Sequence, residues 1–227
     1  MNNVNIRTKA AYHHGNLKAA LIAAGLKEIA QHGIEEFSLR GVARRAGVSA
    51  PAVYRHFADK DDLLAAMAME AWERLMAMTV DAMAKAPPDP LEQFRANGVS
   101  IVRFAVAHPE HFRVICLPGA FERAPADFRA KWEAALAANR QALADAQAQG
   151  TIADIPLDQV LLAANSLVMG LAHQIIQGNL GKVDDARATK LANEATQVLG
   201  IGLIPRDHEV PDPTMKTIVK KTRRKAP

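Results

Sequence analysis

Between Ser38 and Phe57 the chain holds two helix starts and one helix stop, and this close punctuation limits the fold more than any other feature. Ser38 is a hydroxyl N-cap candidate for a helix that runs through Ala46 and ends at Gly47. Ser49 opens a second short helix with Pro51 in its first turn, where a missing backbone N–H costs no hydrogen bond. Leu39, Val42, Ala46, Val48, Val53 and Phe57 fall on the inward side at helical spacing, and small Ala43 lets the second helix cross close over the first. Arg44, Arg45, Ser49, Ala50, Ala52, Tyr54, Arg55 and His56 are left facing out. Two short helices joined by Gly47-Val48-Ser49 make a helix-turn-helix, whose second helix is placed to enter a DNA major groove.

The rest of the chain carries the same kind of punctuation. Leu17, Leu21, Ile22, Leu26 and Ile29 predict a helix before Gly33, and Asp59 caps a long one that runs to about Ala86. Pro90, Pro109, Pro125 and Pro156 each open a further helix, and a ninth is expected from about Asp184 to Leu199, stopped by Gly200 and Gly202. No stretch shows strand alternation, and only 5% of the residues are aromatic. The expected fold class is all-α, with about nine helices. We expect a helix-turn-helix domain over 1–60, a helical body over 61–204 and a disordered basic tail over 205–227. The run from Gln159 to Gly181 lacks Asp, Glu, Lys and Arg, but its Asn, Gln, His and Ser side chains would be costly in lipid, so a buried helix is expected there. The start of the chain has no signal-peptide core, and the single cysteine, Cys116, allows no internal disulfide, which suits a cytoplasmic protein.

Charge separates along the same boundaries. Residues 1–60 hold nine Lys/Arg against four Asp/Glu, residues 61–204 twelve against seventeen, and residues 205–227 seven against three. A basic head on an acidic body is the layout of a nucleic-acid binder with a second module.

Residues 14–64, above all Tyr54-Arg55-His56-Phe57 followed by Lys60, resemble the DNA-binding domain of the TetR family of bacterial transcription regulators. The resemblance implies a ligand-responsive, sequence-specific regulator of the repressor type that binds a pseudo-palindromic operator in double-stranded DNA as a homodimer. It implies phosphate contacts from Tyr54, His56 and Lys60, and from Ser38 and Ser49 at helix N-termini. Arg44 and Arg45 end the helix that runs through Ala46, beside the groove, where either reaches a phosphate or a guanine edge, and Arg44 is equally a solvated surface arginine. Ala50-Pro51-Ala52 departs from the more polar family pattern; these side chains only touch thymine methyls or sense shape, so polar readout falls to Arg45, Ser49 or Arg55.

The body is expected to dimerise through the uncharged helix and its Asp184–Leu199 neighbour, in a four-helix interface about a two-fold axis. His108 to Arg113 and Ala163 to Ala172 faintly resemble the ligand domain of a TetR subgroup named for a Trp-His-Gly pattern, with Gly170 at its glycine and Asn165 and Met169 in place of its Trp and His. A small-molecule effector is expected between the fourth and eighth helices, near Met76, Phe104, His111, Cys116, Trp132, Asn165, Met169 and His173. A body that docks on another protein is the alternative. His108, His111, Cys116 and His173 are too loosely spaced for a metal site. No nucleophile–base pair, paired carboxylates or phosphate loop points to an enzyme, and no cofactor is expected.

Overall fold

The computed structural model describes residues 14–204, in which every regular element is an α-helix. The head contains α1 (His14–His32), α2 (Leu39–Ala46) and α3 (Ala50–Tyr54). The body contains α5 (Pro90–Ala107), α6 (Pro109–Ile115), α7 (Ala126–Ala148), α8 (Leu157–Ile176) and α9 (Asp185–Leu203). The long α4 (Lys60–Lys85) runs from one into the other. The 205–227 tail, with its expected disorder, lies outside the described residues.

Four helix starts are fixed by side chains that accept from orphan N–H groups. Ser38 Oγ accepts from Gly41 N at 3.1 Å, and the carboxylates of Asp59, Asp89 and Asp184 accept from the third residue on at 2.8–2.9 Å. Such a cap stabilises a helix by about 1 kcal/mol. Gly47 ends α2 at φ 69°, a left-handed conformation that a side chain would strain.

The head's core gathers Leu21, Ile29, Val42 and Val53 with Leu63 and Met67 from the first turns of α4, and with Val114 from α6. The next turns of α4 pass into the body, where Ala71 and Leu75 meet Phe104, Phe112 and Ala172. One helix therefore belongs to two cores. Helix α5 is central to the body and packs against α4, α7, α8 and α9.

Two expectations about the body need correction. Helix α9 does not stop at Gly200 but continues through Gly202 to Leu203. Each glycine costs about 1 kcal/mol in a helix interior. Burial of Leu203 beside Leu143 and Val160, with its carbonyl accepting from Ala153 N at 2.8 Å, holds the last turn in place. Helix α8 is long and apolar enough to cross a membrane, yet only 28% of that stretch is buried. Val160, Ala164, Val168, Ala172 and Ile175 pack inward, while Gln159, Leu162, Ser166, Gly170 and Gln174 form an exposed, uncharged face.

Candidate nucleic-acid interface and body cavity

The turn between α2 and α3 places one short helix across the other, and the outward residues gather beside it. Tyr54, Pro51 and Arg55 are exposed, Ala50 and His56 are half-buried, and Ser49 is an exposed N-cap whose side chain makes no capping hydrogen bond. The Ser49 hydroxyl is therefore unengaged, whereas the Ser38 oxygen already accepts from Gly41 and keeps its proton to donate. Phe57 is buried as expected, with Lys18 Nζ over its ring at 5.9 Å.

Three side chains behave differently from the expectation. Ala52 does not face out; it is 6% exposed. On a helix of five residues the covered arc is wide, and the position beside fully buried Val53 falls within it. Arg45 turns back into the head. Its Nε donates to Glu28 Oε2 at 2.7 Å and its Nη2 donates to Gln31. Glu28 is almost fully buried, so this pair ties α2 to α1. Gly41 makes room for it, because a Cβ there would collide with the Glu28 carboxylate. Arg44, by contrast, is 77% exposed and 4.0 Å from Glu28. Lys60 Nζ donates to the Ile34 carbonyl at 3.2 Å and sits 5.6 Å over the Phe37 ring, which leaves two of its three protons free.

The sequence reading passed over two cations on this side, Lys18 and Arg40, both exposed. Arg40 stands four residues before Arg44, so the two share a helix face; that spacing was the available signal.

Where α4 leaves the head, Arg123 reaches over from the segment between α6 and α7. Its Nη1 donates to Asp59 at 2.7 Å and Asp62 at 3.0 Å, and its Nη2 donates to Asp61 at 3.4 Å. The Arg123 hydrogen bond holds the Asp59 carboxyl below its ordinary pKa of 3.8.

The residues expected to line an effector pocket fall into a packed core. Phe104 is fully buried, with Met76, Cys116 and Met169 against the same cluster. Burial pushes the Cys116 thiol up to about 11. His173 Nδ1 lies 2.9 Å from the Met169 carbonyl oxygen, and the His173 ring is 5.2 Å from Phe112. His111 stacks near His108 and Phe104, with neither ring nitrogen hydrogen-bonded. Burial lowers the pKa of both histidines, and the charge of Arg74 adds to the effect. Trp132 is remote from this cluster, on α7 against Phe121 at 5.3 Å. Between α4 and α8 these apolar side chains pack against one another. A half-open cavity of about 850 Å³ lies instead among α5, α7, α8 and α9, and of the expected residues only Asn165 lines it. Among the described residues no cluster of three His, Cys, Asp or Glu side chains has metal-site geometry.

Comparison with known proteins adds the family to this geometry. A family model of bacterial regulatory proteins, tetR family, matches residues 21–67, and a model of the Tetracyclin repressor-like C-terminal domain matches residues 94–197. Among curated relatives, the HTH-type transcriptional regulator Rv1816 of Mycobacterium tuberculosis is 35% identical over 65 residues, 29% of this chain and 27% of that protein. The HTH-type transcriptional regulator AcrR of Shigella flexneri is 34% identical over 90 residues, 38% of this chain and 40% of that protein. These matches thus span well under two thirds of either relative's length. Among solved structures, a protein of unknown function from Rhodococcus sp. RHA1 is similar over 87% of this chain and 100% of its own, with TM-score 0.68 and 28% identity. A TetR family transcription regulator from Marinobacter aquaeolei VT8 shares the fold, with TM-score 0.64 and 20% identity over 85% of this chain and 97% of its own.

Proposed function

This chain belongs to the TetR family of bacterial transcription regulators, and from that premise we propose that it is a cytoplasmic, ligand-responsive repressor that binds a pseudo-palindromic operator as a homodimer. The observation that carries this reading is the free hydrogen-bonding chemistry on one side of the helix-turn-helix. Arg44 and Arg55 are exposed there, and Ser49 has an unengaged hydroxyl. Tyr54, His56, Ser49 and the spare protons of Lys60 and Ser38 contact phosphates and set the register. Arg44, Arg55 and Arg40 take the guanine-edge or phosphate contacts, since Arg45 is held by Glu28. Ala50 and Pro51 sense thymine methyls or groove shape.

In this reading residues 1–60 are the reading unit and 61–204 the effector and dimerisation unit. The exposed apolar side chains Leu162 on α8 and Val198 and Ile201 on α9 support a two-fold contact through these two helices, and beyond Asp158 in the first turn no Asp, Glu, Lys or Arg interrupts the α8 side of it. An effector bound in the body alters operator affinity, and operator DNA alters effector affinity by the same factor. We assign the chain no catalytic step and no membrane association.

Selection of bound duplexes from a random pool tests the reading. Two recognition helices must meet successive major grooves about 34–36 Å apart, so the selected sites are inverted repeats. A monomer that binds one asymmetric site with full affinity would sink it.

A further inference from the structure

The cavity of about 850 Å³ is walled by α5, α7, α8 and α9, and α4 takes no part in it. Its interior is largely aliphatic and aromatic, with Leu91, Phe94, Ile101, Leu161, Leu199 and Leu203 among its walls. Two charged side chains reach its lining, Glu92 and Arg95, and they answer each other. Arg95 Nη2 donates to Glu92 at 2.6 Å and its Nη1 donates to Asn193 at 3.0 Å. An ionised ligand would therefore enter without a free countercharge, and desolvating it there would be costly.

The polar chemistry left in the lining is four amides and one hydroxyl: Asn165 and Gln197 stand on its exposed side, and Asn97, Asn139 and Thr196 lie deeper. Asn97, nearly buried on α5, donates from Nδ2 to Asn139 Oδ1 on α7 at 3.1 Å. That bond leaves the acceptor Asn97 Oδ1 and the two N–H groups of Asn139 Nδ2 without a protein partner among the described residues. The Thr196 hydroxyl is already occupied, donating to the Ala192 carbonyl at 2.7 Å. A single hydroxyl or primary amide satisfies the free acceptor and one free donor together. The open side is rimmed by Leu136, Leu162, Ile201 and Ile204, each at least half exposed. Leu162 and Ile201 also lie on the α8 and α9 face assigned above to the subunit contact.

We propose that this cavity is the effector site, that its ligand is an uncharged, mainly aliphatic molecule with one hydroxyl or amide headgroup read by Asn97 and Asn139, and that the second subunit closes its mouth. The proposal rests on the reading of the chain as a ligand-responsive dimer and deepens it. The ligand then acts on the packing of α8 against α9, and so on the angle between subunits. Ligand binding and dimerisation are linked: whatever fills the cavity strengthens the dimer.

The test is titration calorimetry of the full chain at pH 7 with three probes of equal chain length, decan-1-ol, decanoate and decylammonium, each below its aggregation limit. Decan-1-ol binds saturably, and the two ions bind at least about tenfold more weakly for want of a countercharge. Asn97→Leu and Asn139→Leu each lower decan-1-ol affinity about five- to tenfold, the worth of one hydrogen bond. Asn139 is half-buried, so its variant keeps the fold if Asn97→Leu does not, and a thermal melt of each settles which is usable. Sedimentation with decan-1-ol shows a tighter dimer. The proposal is overturned if decan-1-ol does not bind, if neither asparagine change weakens it, or if decanoate binds best and Arg95→Gln abolishes that binding. Operator binding is measured separately without probe. Decan-1-ol binding without operator binding would leave the cavity standing and remove the regulatory reading, while the reverse removes the cavity alone.

Discussion

In the head, local devices fix the chain turn by turn. Ser38 caps α2, Gly47 ends it, Pro51 starts α3, and Asp59 caps α4. In the body, Asp89 and Asp184 cap α5 and α9, but α6, α7 and α8 begin at His108, Pro125 and Pro156 with no side-chain cap at all, and packing against α5 and its neighbours sets their places. The head turns its cations outward and keeps one carboxylate, Glu28, inside to hold Arg45. The body turns uncharged side chains outward on α8 and keeps open space inside. The contrast teaches that a surface meant to meet a fixed, charged duplex is built from rigid short-range rules. The surfaces of the body are built from how long helices are shared.

The strongest way to break the contrast is Phe104→Ala. Removing this fully buried ring should cost about 3–5 kcal/mol, the usual range for a core phenylalanine. Because α4 serves both cores, the loss should appear as one lowered melting transition, seen alike by Trp72 and Trp132 fluorescence in the body and Tyr54 resonances in the head. Two separated transitions would show that the regions fold independently. Next in size is Gly41→Ala, which drives a methyl into the Glu28 carboxylate and should cost about 2 kcal/mol as overpacking. In a Glu28→Ala background the same change should cost little, and a full cost there, measured by urea unfolding, would disprove the steric account. Ser38→Ala should cost about 1 kcal/mol through its lost cap. Ser49→Ala should move stability by under about 0.5 kcal/mol, since it makes no cap bond, yet weaken operator binding. Equal stability losses would erase the distinction between the two serines.

The smallest effect belongs to the body's histidines. Burial holds His108 and His111 below their ordinary pKa of 6.5, so on acidification the unfolded chain takes up protons before the folded one does. Stability is therefore full above about pH 6.5 and declines as pH falls below it, through the lower pKa values of the folded state. Melting temperatures of His111→Phe across pH 5 to 8 should show a flatter profile than the wild type. An unchanged profile would place the dependence elsewhere.

The head was legible where a residue acts on its own backbone neighbours. Ser38, Gly47, Pro51 and Asp59 are read from type and position alone. Arg45 was not, because its partner lies seventeen residues away and a buried glutamate carries no local mark. Ala52 was missed because periodicity gives a direction but not the width of the covered arc on five residues. In the body the existence of the helices was legible and the packing was not. Methionines and histidines spaced for a pocket instead fill a core around Phe104. The space lies beyond α5, where only the asparagines and a break in side-chain volume would have marked it. Gly200 and Gly202 read as a stop, but long-range burial of Leu203 overrode them.

Arg123 is a tie rod across the joint, fastened to three carboxylates at the point where α4 enters the head. All of its fastenings are solvent-exposed, so dissolved ions compete for them, and the Debye length shrinks from about 10 Å at 0.1 M to about 3 Å at 1 M salt. The tie is thus weaker in brine than in dilute buffer. Any salt titration of operator binding then reads two gauges at once: counterions released from DNA, and the weakening of the tie. Running the same series on Arg123→Ala zeroes the second gauge, and only the slope that survives counts phosphates.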